Sequence, residues 1–169
     1  MFCVIADDEP RLRQVLVRLM TSDGFTCLEA GDGVEALEQL DTVPAALLLS
    51  DLRMPRMDGI ELLRQARAKY PDLAVILITA VADVELALSC LASGAMDYLT
   101  KPFHLEEVLA RVGQAMEKRH LILENRDYQT GLERLVATQA RRLEELFLGG
   151  VQALVQALVG PGRSRAEWH

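Results

Sequence analysis

The chain has 169 residues, half of them apolar and a quarter charged, with a formal net charge of −7. That composition fits a globular protein of about one domain and excludes a disordered chain. No apolar run reaches the roughly 18 residues of a membrane span, and the opening MFCVIADDE lacks the basic region and cleavage site of a secretory leader, so a cytoplasmic protein with no membrane partner is expected.

Charge is unevenly distributed. Residues 1–104 hold 9 Lys/Arg and 16 Asp/Glu, whereas residues 105–169 hold 9 of each, so the acidity belongs to the first part. No basic stripe of the kind that reads nucleic acid is present, and no nucleic-acid partner is expected. Cys3, Cys27 and Cys90 are scattered among apolar residues, which reads as buried free thiols rather than a metal site or disulfide framework.

Along the chain two patterns alternate. FCVIA (2–6) is a short apolar run suited to a strand buried on both faces. Leu12, Val15, Leu16, Leu19 and Met20 follow helical spacing until Asp23-Gly24. Phe25 to Ala30 reads as a weaker strand, Gly31-Asp32-Gly33 as a turn, and Val34, Leu37 and Leu40 as a short helix. Ala45 to Ser50 is a strong strand, followed by a helix from Gly59 to Tyr70 that Pro71 closes. Leu73 to Thr79 is a β-branched strand; Val84, Ala87, Leu88 and Leu91 form a helical face stopped by Gly94. Met96 to Thr100 is a last strand, and positions 108, 109, 112 and 116 resume helical spacing after Leu105. Five strand–helix units predict an α/β fold: a doubly wound, five-stranded parallel sheet with right-handed crossovers, followed by a long C-terminal helix. In such sheets ligands bind beyond the carboxyl ends of the strands, where strand order reverses.

The residues that follow the strands are therefore the candidates for chemistry. The first strand ends in Asp7, Asp8 and Glu9, the third in Asp51, the fourth in Thr79, and the fifth in Lys101-Pro102. Clustered carboxylates repel and do not all stay ionised without a cation. Oxygen ligands without nearby imidazole or thiolate favour Mg²⁺, with Mn²⁺ an alternative, and Mg²⁺ commonly shares its shell with a phosphate. A hydroxyl and an ammonium suit the phosphoryl oxygens, and a carboxylate can itself be the nucleophile, giving an aspartyl-phosphate. Asp51, the single acid at the end of the central strand, is the best nucleophile; Asp7 and Asp8 read as metal ligands. Glu9 reads as an exposed helix-start acid.

Four segments, ADDEP (6–10), LLLSDLRMPRMDG (47–59), VILITA (75–80) and GAMDYLTKPF (94–103), resemble the receiver domain of two-component response regulators, in order and across residues 1–118. The resemblance implies that Asp51 accepts phosphate from a sensor histidine kinase or phosphotransfer protein. It implies that Asp7, Asp8 and Asp51, with the backbone carbonyl of Arg53, hold Mg²⁺. Thr79 would move toward the phosphoryl group, Tyr98 would swing inward behind it, Lys101 would pair with phosphoryl oxygens, and the Lys101–Pro102 peptide would be cis.

Beyond residue 118 the helical pattern continues without proline to Leu148, a length of about 65 Å from Leu105. Leu121, Leu132, Leu143 and Leu154 recur every 11 residues, and Asn125, Val136, Phe147 and Leu158 follow four positions on. That period predicts a nearly straight or slightly right-handed supercoil, with Asn125 as a register-fixing polar residue. A parallel homodimer through Leu121, Asn125, Tyr128, Leu132, Val136, Leu143 and Phe147 is expected. The domain layout is thus a receiver at 1–118, a coiled-coil extension at 119–148, and a short helix with a frayed tail at 149–169. Gly149-Gly150 is expected to break or kink the helix, and GPGRSR (160–165) to turn. ENRDYQTGLERLV and LEELFLGGVQALVQAL also resemble the linker between receivers and HD-GYP cyclic-di-GMP phosphodiesterase domains. No catalytic His-Asp pair or GYP tripeptide is present, so no enzyme activity is expected of the chain itself. Either the chain is the regulatory part of such a protein, with a downstream output domain, or it is a complete module acting by protein–protein contact. A haloacid-dehalogenase-like phosphatase would carry its nucleophile in a DxD pattern after the first strand, which Asp7-Asp8 does not match. A DNA-binding regulator would need a basic helix-turn-helix, and none follows residue 118.

Overall fold

A computed structural model describes residues 1–160. The apolar runs form strands β1 (Phe2–Ala6), β2 (Thr26–Ala30), β3 (Ala45–Asp51), β4 (Ala74–Ala80) and β5 (Asp97–Lys101). Between and after them run helices α1 (Pro10–Ser22), α2 (Gly33–Leu40), α3 (Gly59–Lys69), α4 (Val84–Ala92) and α5 (Leu105–Val159). A 3₁₀ turn, Val81–Asp83, precedes α4, and the periodicity does not reveal it. All strands pair in parallel, in the order β2-β1-β3-β4-β5. The fold is the flavodoxin-like doubly wound sheet expected from the alternation, followed by a long C-terminal helix.

Successive strand residues point to opposite faces, so each strand feeds two cores. Val4 and Ala6 of β1, Leu48 of β3 and Val75 and Leu77 of β4 pack with residues of α2, α3 and α4, among them Ala36, Leu62 and Ala66. Cys3, Ile5, Leu47, Leu49, Ile76 and Ile78 face the other way, onto Leu16 and Met20 of α1 and Val108, Val112 and Ala115 of α5. These are fully or almost fully buried, which explains why β3 and β4 read as unbroken apolar runs. Cys3 and Cys90 are buried free thiols, but Cys27 is only half-buried because β2 is an edge strand.

Two carboxylates start the helices that flank the site. The Asp32 side chain accepts the Glu35 amide at 2.9 Å at the start of α2, and Asp58 accepts the Glu61 amide at 2.9 Å at the start of α3. Gly59 is required by proximity: a Cβ there would lie 2.4 Å from the Asp51 carbonyl oxygen and 2.9 Å from Leu52 Cα. The absence of a side chain lets α3 begin directly behind the end of β3, where the Gly59 amide donates to the Leu52 carbonyl at 2.9 Å.

Met1–Leu123 forms one compact unit, and the residues from Glu124 onward form a second. Every residue from Glu124 to Gly160 is exposed. The break expected at Gly149-Gly150 is not there, because α5 continues unbroken to Val159. Glycine costs about 1 kcal/mol per residue in a helix but keeps its amide donor, so good helix formers on both sides carry the helix across the pair. The short separate helix expected after residue 149 is therefore the end of α5, and all but the first residue of the turn expected at 160–165 lies outside the described residues. No helix among the described residues is long and apolar enough to cross a membrane.

The two glycine environments generate opposite expectations. Gly59→Ala should lower the unfolding free energy by roughly 1–3 kcal/mol, since backbone must shift to admit the methyl group. Gly113→Ala, on an exposed position of α5 with open space around its Cβ site, should raise it by about 0.5–1 kcal/mol. Urea denaturation of both variants checks the pair, and a Gly59→Ala midpoint equal to wild type would contradict the close approach.

Candidate functional site

Strand order reverses between β1 and β3: the chain leaves β1 for α1 on one face of the sheet and leaves β3 for α3 on the other. A crevice at that point is where ligands enter sheets of this kind. Asp7 follows β1 and Asp51 ends β3, and the register that pairs Ala6 with Ser50 brings the two acids side by side. Carboxylate oxygens of Asp7, Asp8 and Asp51 all lie within 4.8 Å of one another. Asp7 is completely buried, Asp51 is 7% exposed, and Asp8 faces solvent.

Each acid is held by its surroundings. The Asp7 amide donates to the Ala30 carbonyl at 3.0 Å, its Oδ1 accepts the Glu9 amide at 2.8 Å, and its carbonyl accepts Arg13 Nη1 at 2.7 Å. Asp7 Oδ2 accepts no hydrogen bond although it is buried, and the nearest cation, Lys101 Nζ, stands 3.7 Å away. Lys101 Nζ is closer to Asp51 Oδ2, at 3.3 Å. One ammonium therefore serves two buried carboxylates, with the third acid, Asp8, beside them. Burial is the main cause that pushes the Asp51 carboxyl above its ordinary range; the charge of Asp7 adds to it and Lys101 opposes it. Asp7 is raised chiefly by burial as well, against the Glu9 amide and Lys101. An orphaned buried carboxylate oxygen beside two further acids is an arrangement that a hard, oxygen-seeking cation completes, so the residues present fit Mg²⁺.

The other residues expected at the rim are distributed as follows. Thr79 pairs with Thr100 one step beyond the Asp51–Ile78 pair; it is fully buried, and its hydroxyl donates to the Ala80 carbonyl at 3.2 Å. The Lys101–Pro102 peptide is cis. Tyr98 is set back from the rim, opposite Leu77, and is half-buried against the core under α2, α3 and α4. Arg53 lines a depression with Asp8, Met54, Pro55 and Asp58. Glu9 is exposed at the start of α1 and makes no side-chain cap bond. Leu121, Asn125, Tyr128, Leu132, Val136, Leu143 and Phe147 are exposed along α5.

Several side chains that organise the site were not found from the sequence. Arg13 reaches from α1 to the Asp7 carbonyl; Arg56 donates through Nε to Asp32 Oδ2 at 2.7 Å; Arg53 donates to both oxygens of Asp83 at 3.1 and 2.8 Å. The last two pairs span 24 and 30 residues, beyond the reach of any periodicity signal.

Comparisons with known proteins agree with this geometry. The model of the response regulator receiver domain matches residues 3–113. NtrC of Klebsiella pneumoniae, a DNA-binding transcriptional regulator, is 44% identical over 112 residues, which are 66% of this chain and 24% of NtrC. DctD of Pseudomonas aeruginosa, a C4-dicarboxylate transport transcriptional regulatory protein, is 37% identical over 177 residues, covering 96% of this chain and 37% of DctD. The chain thus spans between about a quarter and two fifths of the length of these relatives. A receiver domain protein from Clostridium thermocellum superposes with a TM-score of 0.68 at 26% identity, over 72% of this chain and 98% of that one. The HD-GYP likeness of the tail gains no support from these relatives. With the acid cluster at the strand-order reversal and a family match over most of its length, the chain belongs to the response regulator receiver domain family.

Proposed function

We propose that the chain is the phosphoacceptor of a two-component system, with Asp51 taking a phosphoryl group from the phosphohistidine of a sensor histidine kinase or phosphotransfer protein. The observation that supports this most is the convergence of Asp7, Asp8 and Asp51 within 4.8 Å, with Lys101 Nζ 3.3 Å from Asp51. Asp7, Asp8, Asp51 and the Arg53 carbonyl would hold Mg²⁺, or Mn²⁺ in its place. A bound divalent ion offsets the repulsion among the acids and the charge of incoming phosphoryl oxygens. An Asp51 carboxylate oxygen forms a bond to phosphorus as the phosphorus–nitrogen bond of the donor breaks, and the imidazole leaves with that electron pair. Lys101 then pairs with a phosphoryl oxygen. Thr79 exchanges its bond to the Ala80 carbonyl for one to the phosphoryl group, and Tyr98 moves in behind it. The change is a population shift, since the phosphorylated form must favour one arrangement over the other.

The receiver occupies residues 1–118, and the extension from 119 carries the output as a parallel homodimer through the 11-residue seam. Exposed Leu132, Leu143 and Phe147, between 42 and 70% accessible, favour a partner helix. The relatives qualify the expectation of no nucleic-acid partner. NtrC and DctD are transcriptional regulators, so the output in this reading acts on transcription, while the acidic receiver remains a poor match to DNA. Because the alignment with DctD covers the helical tail as well, it favours this output over a phosphodiesterase.

Incubation with acetyl phosphate and Mg²⁺ should add one phosphoryl group by intact mass. Asp51→Asn or removal of Mg²⁺ with EDTA should abolish the addition; steady turnover of many phosphate esters would favour a phosphatase instead. Without metal, Asp7→Asn should be more stable than wild type at pH 7, because the ionised Asp7 costs more in the fold than in the unfolded chain. The difference should shrink as the pH falls through the raised titration of Asp7, and vanish below the ordinary value of 3.8. Mg²⁺ should raise the unfolding temperature of wild type more than that of Asp7→Asn. Light scattering of Leu132→Glu/Leu143→Glu should show a monomer that still accepts phosphate; a persistent dimer would place the interface on the receiver.

A further inference from the structure

The loop between β3 and α3, residues 52–58, is held at three places. At its base the Leu52 amide donates to the Ile78 carbonyl at 2.9 Å, and the Gly59 amide closes back onto Leu52. At its far end Arg56, in the left-handed region at φ 62°, places its guanidinium on Asp32, and the Met57 carbonyl accepts the Gly33 amide at 3.1 Å. Asp32 is itself the cap of α2, so this end of the loop is tied to the fold. The third hold is different. Arg53 reaches out of the loop to Asp83, with one donor on each carboxylate oxygen. The Asp83 side chain is only 18% exposed and makes no cap bond to α4, whereas that of Arg53 is 70% exposed. The Asp83 carboxylate is thus engaged on both oxygens by the arm that Arg53 extends from the loop. Exposed ion pairs add little to global stability, but a two-pronged guanidinium–carboxylate contact fixes orientation.

We propose that Asp83 is a positioning residue for the phosphoacceptor site, acting through the Arg53 side chain to hold the near end of the β3–α3 loop beside the carboxylate cluster. The inference rests on the phosphoacceptor reading above. Arg53 follows Asp51 by two residues and lines the depression with Asp8, so freeing its side chain loosens the backbone that offers the Arg53 carbonyl to the cation. Asp83 also lies four residues past Thr79 and directly before α4, so the clamp links the loop to the start of that helix. Nothing in the pairwise chemistry of the acids requires this link.

Charge alone makes a distinct forecast, which makes the test decisive. Removing a nearby cation should tighten Mg²⁺ binding, and removing both members of the pair should leave it unchanged. If position matters, Arg53→Ala, Asp83→Ala and the double variant should each weaken Mg²⁺ binding by about two- to fivefold, the double by no more than the singles. Asp83→Glu, which keeps the carboxylate, should stay close to wild type. Calorimetric Mg²⁺ titration of the full chain reads these constants, and unfolding without metal should be nearly the same for all. Tighter binding by Arg53→Ala with a wild-type double variant overturns the proposal, as does a metal-free loss of stability that accounts for the weakening. Wild type that binds no Mg²⁺ and takes no phosphate overturns the underlying reading as well; wild type that does both, beside unaffected variants, sinks only the clamp.

Discussion

Repulsion among three carboxylates is the constraint on which the arrangement of this domain turns. Asp7 and Asp51 are buried at the ends of neighbouring strands, Asp8 stands beside them, and the one nearby ammonium, Lys101, is closer to Asp51 than to Asp7. Burial sharpens the conflict because it weakens the screening that water would provide. The fold holds the acids in place chiefly with backbone, the Glu9 amide on Asp7 and the β ladder under Asp51, and adds the Arg13 guanidinium on the Asp7 carbonyl. The result is an under-neutralised pocket, which is the electrostatic condition for attracting a divalent cation and, only through that cation, an anion.

Rigidity comes from the sheet, and adjustment is left to the loops. β3 and β4 are buried on both faces and paired on both sides, so their backbones have nowhere to go. The β3–α3 loop, by contrast, is secured by side chains from outside the sheet: Asp32 at one end and Asp83 at the other. Thr79 is the point where these regimes meet. It belongs to the sheet by its backbone, yet its hydroxyl holds only the carbonyl of the next residue, at 3.2 Å. A weak local bond of this sort is easily exchanged for a better acceptor.

How much of this was legible in the residues differs by level. Strands such as LAVILIT announce themselves because both faces are buried, and the rim acids follow from the rule that parallel strands end together. The strand order β2-β1-β3-β4-β5 was not legible, because periodicity carries no information on neighbours. The ion pairs of Arg53 and Arg56 were illegible because they join residues 24 to 30 apart, and Arg56 adopts a left-handed backbone that its type does not advertise. Gly149-Gly150 misled in the other direction. Composition suggested a stop, but a missing side chain is a weaker helix breaker than a missing amide, and α5 runs on.

The divergence of α1 and α3 to opposite faces has a consequence for evolution. The split that opens between the loops after β1 and β3 is a property of winding, and the apolar residues that produce the winding, such as Ile5, Leu49 and Ile76, lie well inside the molecule. The acids at the mouth of the split, Asp7, Asp8 and Asp51, belong to neither core, although Leu52, Met54 and Met57 of the loop after β3 do pack there. The vocabulary of the rim can therefore be rewritten, one loop at a time, while the grammar that creates the opening stays intact.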